Sequence, residues 1–516
     1  MLMTLGETME KAAAAFGDKP AVIFRDVPYS YDALNRRANR VANALVAHGI
    51  EPGDRVTLCG QNSYDWVAAY YGTAKAGAVL NPVTAMLTAG EIGYIAGNCG
   101  AKLLMVGAGK GDGLMDALAG SDVETVVLFD DDGPADATPF EDFLGDAPED
   151  FETRPRGLDD LGAIGYTSGT TGHPKGAMMS NRAIAVGTAG MKLMHGRTAD
   201  DIVVTALPCS HVYGKAVMNG SLFYGSTLVL LERFVSEDML CAVERYRATM
   251  LEAVPTGFMY MLADPAIGKY DYSSLERMTC GGQTFPAATA AEVEATFGAT
   301  LLELWGMTEL AGLGTTHGAH YERRLGSIGV AIPYIEARIG GLEDPAQTMP
   351  AGEPGELLIR GPIVMMGYYG NEAATREAMT EDGWFRTGDV CSRDEDGFLW
   401  VVDRKKDMIN TAGFNVYPAE LERVLAAHPD VSMVAVGGVP DAQKGELAKA
   451  YIVPRPGADP DAVDIIAHCR KTLAPYKVPR RIQFVADLPT NPTGKILRRE
   501  LHTIDDGGDD GGDDGG

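Results

Sequence analysis

Eleven consecutive residues, Tyr166 to Gly176, hold four hydroxyls (Thr167, Ser168, Thr170, Thr171), three glycines (Gly169, Gly172, Gly176) and Lys175. Hydroxyls donate to phosphate oxygens, glycines let backbone N–H groups close in as an anion-binding nest, and the lysine adds a mobile positive charge. The ligand this loop suits is polyphosphate. The P-loop pattern fails here, because Lys175 is followed by Gly176 rather than by Ser or Thr at the start of a helix. A plain surface loop is also rich in Gly and Ser, but it does not explain why hydroxyls crowd ahead of the lysine.

Three further blocks carry compatible chemistry. In Glu303–Glu309, the Trp305 indole can stack on a base, worth roughly 1–3 kcal/mol. The Glu309 carboxylate there can hold Mg2+, and Thr308 can meet a phosphate or a metal-bound water. Each has an ordinary alternative as a core aromatic or a solvated acid. In Gly383–Asp389, Asp389 can accept two hydrogen bonds from a ribose diol, and Arg404 can approach the same sugar or phosphate. The bland reading is a surface turn with an ion pair between domains. In Pro489–Ile496, proline and glycine turn a loop that can aim Lys495 at the oxygens of a phosphoryl-linked transition state. Taken alone, such a lysine usually faces solvent.

Alternating strand and helix patterns must position these blocks. Strand-like runs at Ala21–Phe24, Arg55–Cys59, Leu103–Val106, Thr125–Phe129 and Val203–Leu207 alternate with helical patterns, such as the Leu34, Ala38, Val41 and Leu45 face. That order predicts an α/β fold with layered sheets. Shorter strands at Glu356–Arg360 and Gly397–Val402 predict a small β subdomain. The charged run Asp403–Asp407 reads as a hinge before a compact α/β domain. The expected division is 1–403, 404–502 and an acidic tail, 503–516, whose Asp-Asp-Gly-Gly repeats cannot build a core.

At 516 residues the chain exceeds one core's usual size. Its net charge of −27 argues against nucleic acid and anionic membranes as partners. Neither an export signal nor an apolar run long enough to span a bilayer is legible, so a cytoplasmic protein is expected. The seven cysteines lack metal or disulfide spacing and fit a reducing compartment.

The ordered set Tyr166–Gly176, Trp305–Glu309, Phe385–Asp389, Asp403–Pro418 and Pro492–Lys495 resembles the AMP-forming acyl-CoA synthetases, within the adenylate-forming enzymes, over nearly residues 10–502. The resemblance implies a large N-terminal domain and a smaller, mobile C-terminal α/β domain, with ATP, Mg2+, a carboxylic acid and coenzyme A as reactants. It implies that Thr167, Ser168, Gly169, Thr170, Thr171, Gly172 and Lys175 bind ATP phosphates, and that Thr308 and Glu309 serve phosphate and magnesium. Gly281, Gly282, Gln283 and Trp305 would border adenine, with Asp389 and Arg404 at the ribose. Lys495 would act in adenylation, and the loop with Gly413 in thioester formation after rotation about Lys406. His211 would separate the acyl and thiol approaches. Trp305 stands where Tyr is frequent, and Leu304 and Ala412 where Gly is frequent.

Competing readings are an amino-acid adenylating enzyme, a light-producing oxidase, a cysteine hydrolase using Cys209 and His211, and a non-catalytic interaction protein. The His211–Gly214 region offers no acid for a substrate ammonium. Phe258, Met259, Met261, Leu262, Leu304 and Met307 favour an apolar acid, expected to be a medium-to-long fatty or other hydrophobic monocarboxylate, with an aryl or phenylpropenoid acid as the alternative. Ordinary core packing explains the Phe258–Leu262 cluster equally well. Lys215 can orient a distal negative group or snorkel to solvent. A homodimer is left open as the assembly.

Overall fold

The computed structural model describes residues 2–107, 109–111, 113–130, 133–134, 136–167, 173–411, 414–441, 444–455, 457–489 and 496–504. The chain divides into two compact units, Met1–Ala337 with Ile359–Phe385, and Arg338–Leu358 with Arg386–Gly516.

The first unit is built on two large sheets. One has eight strands, with Lys175–Ser180, Leu161–Thr167, Val79–Thr84, Arg55–Gly60, Ala101–Val106 and Thr125–Leu128 in adjacent order. The other has nine, running through Thr300–Trp305, Arg277–Gly281, Met250–Ala253, Ile202–Thr205, Thr227–Leu230 and Pro20–Phe24. Their central strands pair in parallel. Parallel strands are covered on both faces, so they read as continuous apolar runs; Arg55–Gly60 is buried from Val56 onward.

Helix Tyr31–Ala47 shows the local logic. Ser30 caps its start by accepting from the Ala33 N–H, and Leu34, Ala38, Val41 and Leu45 are all fully buried on one face. Helix Pro255–Ala263 splits the apolar cluster that the sequence left undecided. Phe258 and Met261 enter the core beside Phe285 and Phe297, while Met259 and Tyr260 point outward, 40% and 59% exposed. Residues so close together on a helix cannot all face one cavity, because helical periodicity distributes them around the axis.

The second unit holds most of a four-stranded sheet, ordered Glu336–Gly340, Gly355–Arg360, Phe385–Arg393, Leu399–Arg404, and the expected C-terminal α/β fold. There, Val431–Asp441 and Gly445–Pro454 pair antiparallel over helices Pro418–Ala426 and Ala462–Arg470. The compact units part at 337/338, 358/359 and 385/386, grouping most of the small β sheet with the C-terminal fold. The expected tail beyond residue 504 lies outside the described residues.

Candidate active site

In an α/β sheet, the carboxyl ends of parallel strands leave the crevices where ligands bind. Gly281 ends one such strand and pairs with Leu304, which precedes Trp305 at the end of the next. Gly281, Gly282, Gln283 and Trp305, the residues read as the base border, therefore lie at one sheet end. Strand Ile202–Thr205 leads at the same end into His211, the N-cap of helix Val212–Leu222. Trp305 is 8% exposed and packs on Gly314, where a Cβ would stand 2.6 Å from the indole Cζ3.

Thr167 and Lys175 face each other across an antiparallel hairpin. Ser168, Gly169, Thr170, Thr171 and Gly172, which join them, lie outside the described residues, as do Gly413 and Lys495. Strand Leu161–Thr167 meets the Thr308–Leu310 turn closely. A Cβ on Gly165 would approach Thr308 Cγ2 to 2.5 Å, so only glycine allows this contact. Thr308 and Glu309 are thereby brought against the strands that carry the phosphate loop.

Sequence reasoning missed Tyr368. Its hydroxyl donates to Glu309 Oε1 at 2.9 Å, and Lys175 Nζ lies 5.4 Å from its ring centroid. Tyr368 and Gly367 pair with Ala177 and Met178, and the Met365 N–H donates to the Glu309 carbonyl at 2.8 Å. The ring thus fixes the Glu309 carboxylate beside the lysine of the loop. Burial, and then the nearby Glu309 charge, push the Tyr368 pKa upward, so it donates as the neutral phenol. A local Gly-Tyr-Tyr triplet carries no signal for this, since the partner is 59 residues away.

Magnesium fits this donor set in one particular way. Glu309 is a buried carboxylate, and no group of three or more His, Cys, Asp or Glu suited to a metal exists among the described residues. One carboxylate suits an ion held chiefly by nucleotide phosphates and water, which is how Mg2+ commonly binds.

In the second unit, Asp389 and Arg404 are cross-strand partners, with Nε to Oδ1 at 3.4 Å. The structure brings the two expected ribose ligands together. The ion pair is intrinsic to one hairpin rather than a link between domains. Asp389 is 9% exposed, and its backbone N–H donates to Thr387 Oγ1 at 3.1 Å.

The cysteine-hydrolase alternative meets an electrostatic obstacle. Cys209 is buried, and burial pushes its thiol up to about 12, away from the thiolate that a nucleophile requires. His211 Nδ1 accepts from the Tyr213 backbone N–H at 3.3 Å.

The AMP-binding enzyme model matches residues 9–369, and the AMP-binding enzyme C-terminal domain matches 420–495. The chain is 36% identical to a feruloyl-CoA synthase of Amycolatopsis sp over 474 residues, 92% of this chain and 93% of that protein. It is 35% identical to an indoleacetate–CoA ligase of Aromatoleum aromaticum, covering 97% and 98%. Crystalline ATP-bound MatB from Rhodopseudomonas palustris superposes with a TM-score of 0.90 at 33% identity, covering 98% and 99%. The chain belongs to the AMP-binding enzyme family. It is an AMP-forming acid–thiol ligase. No helix among the described residues is long and apolar enough to cross a membrane.

Proposed function

We propose that the protein joins an aryl or phenylpropenoid carboxylic acid to coenzyme A through an acyl-adenylate. The supporting observation is helix Pro255–Ala263: Phe258 and Met261, two of the residues that favoured a fatty acid, are taken up by the core beside Phe285 and Phe297. Leu304 is likewise engaged, in van der Waals reach of Gly281. The feruloyl and indoleacetate relatives support the aryl alternative over the medium-to-long fatty acid that the apolar residues first suggested.

A carboxylate oxygen attacks the α-phosphorus of ATP, giving the mixed anhydride and releasing pyrophosphate. The CoA thiol then attacks the acyl carbonyl and AMP leaves. Thr167, Ser168, Gly169, Thr170, Thr171, Gly172, Lys175 and Thr308 bind the phosphates. Glu309, held by Tyr368, would hold Mg2+, which supplies charge neutralisation to the polyphosphate. Gly281, Gly282, Gln283 and Trp305 border the base, and Asp389 with Arg404 binds the ribose. Lys495 stabilises charge on the oxygens during adenylation. His211 separates the acyl and thiol approaches, and Gly413 lies by the thiol.

Residues 404–502 move about Lys406 between the two half-reactions. Lys406 is exposed, while Lys405 Nζ donates to the Leu342 carbonyl at 2.6 Å. The exposed hinge side chain thus sits beside an anchored neighbour.

Purified protein with ATP, Mg2+ and CoA, assayed for pyrophosphate and thioester across aryl, fatty and amino acids, tests the acid class. Aryl acids are expected to give the highest kcat/KM. A tenfold or greater preference for fatty acids would reverse this choice.

A further inference from the structure

Helix Val212–Leu222 carries a cation that the reaction scheme does not use. The Lys215 N–H donates to the His211 carbonyl at 2.9 Å, so Lys215 lies one helical turn, about 6 Å along the axis, from His211 and on the same face. The adjoining edge of the helix backs the turn that carries Thr308 and Glu309. A Cβ on Gly312 would stand 3.0 Å from the Val212 carbonyl and 3.5 Å from Ala216 Cβ. Lys215 therefore belongs to the wall that holds the His211 face against the adenylating turn.

Three lysines and arginines are buried among the described residues, and two have carboxylates. Lys75 Nζ bonds Glu10 at 2.8 Å, and Arg197 bonds Glu252. Lys215, 8% exposed, has no hydrogen-bond or carboxylate partner for its ammonium among the described residues. Burial alone pulls its pKa down to about 8. A fully snorkelling lysine avoids this penalty; Lys215, with 8% of its surface exposed, bears it. A desolvated ammonium is costly unless an acceptor reaches it.

We infer that Lys215 is a specificity-determining residue of the acid pocket, which binds a second oxygen, a phenolic hydroxyl or carboxylate, at the end of the acid remote from its reacting carboxyl group. This rests on the acid:CoA ligase reading and narrows it. A hydrogen bond between the lysine and that oxygen supplies the missing acceptor without a converging pair of arginines. An acid with a methyl group at the same place leaves the ammonium unsatisfied.

The test uses matched acids in a pyrophosphate-release assay with the full chain: 4-hydroxycinnamic and 4-carboxycinnamic against 4-methylcinnamic acid, and dodecanedioic against dodecanoic acid. Wild type is expected to favour an oxygen-bearing member by about tenfold or more in kcat/KM, carried by KM. Lys215→Met should reverse that preference, and Lys215→Arg should retain its direction. The hydroxyl and carboxylate arms identify which oxygen is bound. Wild-type ratios within twofold of one, or ratios that Lys215→Met leaves unchanged, overturn the role of Lys215 while the ligase reading stands. Absence of pyrophosphate with every acid, from protein shown to bind ATP, overturns the ligase reading itself. The wild-type ratios remain decisive if the Met variant does not fold.

Discussion

Lys215 and Arg498 are both cations withdrawn from water, and the chain surrounds them in opposite ways. Arg498 reaches three carboxylates: Glu422 Oε2 at 2.5 Å, Asp403 Oδ1 at 3.2 Å and Asp407 Oδ2 at 3.4 Å. Burial pulls its pKa down, but those acids more than reverse the effect and hold it charged. Asp403 also accepts from the Ala419 N–H at 2.7 Å, joining the hinge segment to the start of helix Pro418–Ala426. Lys215 has only the burial. A saturated cation organises structure, whereas an unsatisfied one is available to a ligand.

The largest stability effect expected from breaking this contrast is at Arg498. Arg498→Met removes the partner of three acids, one of them the buried Asp403, and should cost about 3 kcal/mol in chemical denaturation. A loss under 1 kcal/mol would show that these contacts are solvent-screened surface pairs.

Lys215→Met should act in the other direction, stabilising the chain at pH 7 by up to about 3 kcal/mol, the linkage value of its depressed pKa. The sign follows from proton binding. The folded lysine gives up its proton near pH 8, while the unfolded one holds it to about 10.4. The penalty is therefore full below pH 8 and fades as pH rises to the unfolded value. Denaturation of both proteins from pH 7 to 10.5 should show the gap closing; a constant gap would mean that lost packing, not charge, sets the difference.

A smaller stability effect is expected at the hairpin pair of the second unit. Arg404→Ala should change stability by less than about 1 kcal/mol, because the Arg404 side chain is half-exposed, yet raise KM for ATP about tenfold. An unchanged KM would remove Arg404 from the ribose site. Tyr368→Phe sharpens the account of the first unit. Loss of the hydroxyl that holds Glu309 should raise the Mg2+ concentration needed for half-maximal pyrophosphate release severalfold, with acid KM little changed.

Much of this was legible in sequence because it is local. Val56, Leu58, Leu103 and Leu104 read as buried strands through apolar continuity, and Asp389 and Arg404, read together from the ordered motifs, are cross-strand partners. The hairpin around the phosphate loop was read only as a loop. Lys175–Ser180 contains no β-branched residue, and its pairing depends on cross-strand contacts and the glycine approach at Gly165. Arg498 gave no signal because its acids lie 76 to 95 residues away. Tyr368 was hidden for the same reason. The Phe258–Leu262 cluster was legible as apolar but not as two faces, since composition does not say where a short helix turns.

Activation of a carboxyl group by AMP is most directly tested by isotope transfer. An accepted acid labelled with 18O in both carboxyl oxygens is incubated with ATP, Mg2+ and CoA, and the nucleotide product is weighed by mass spectrometry. Attack on the α-phosphorus leaves one labelled oxygen in AMP and one in the thioester. Label found in inorganic phosphate, with ADP as the nucleotide, would contradict the adenylate and point to an acyl phosphate instead.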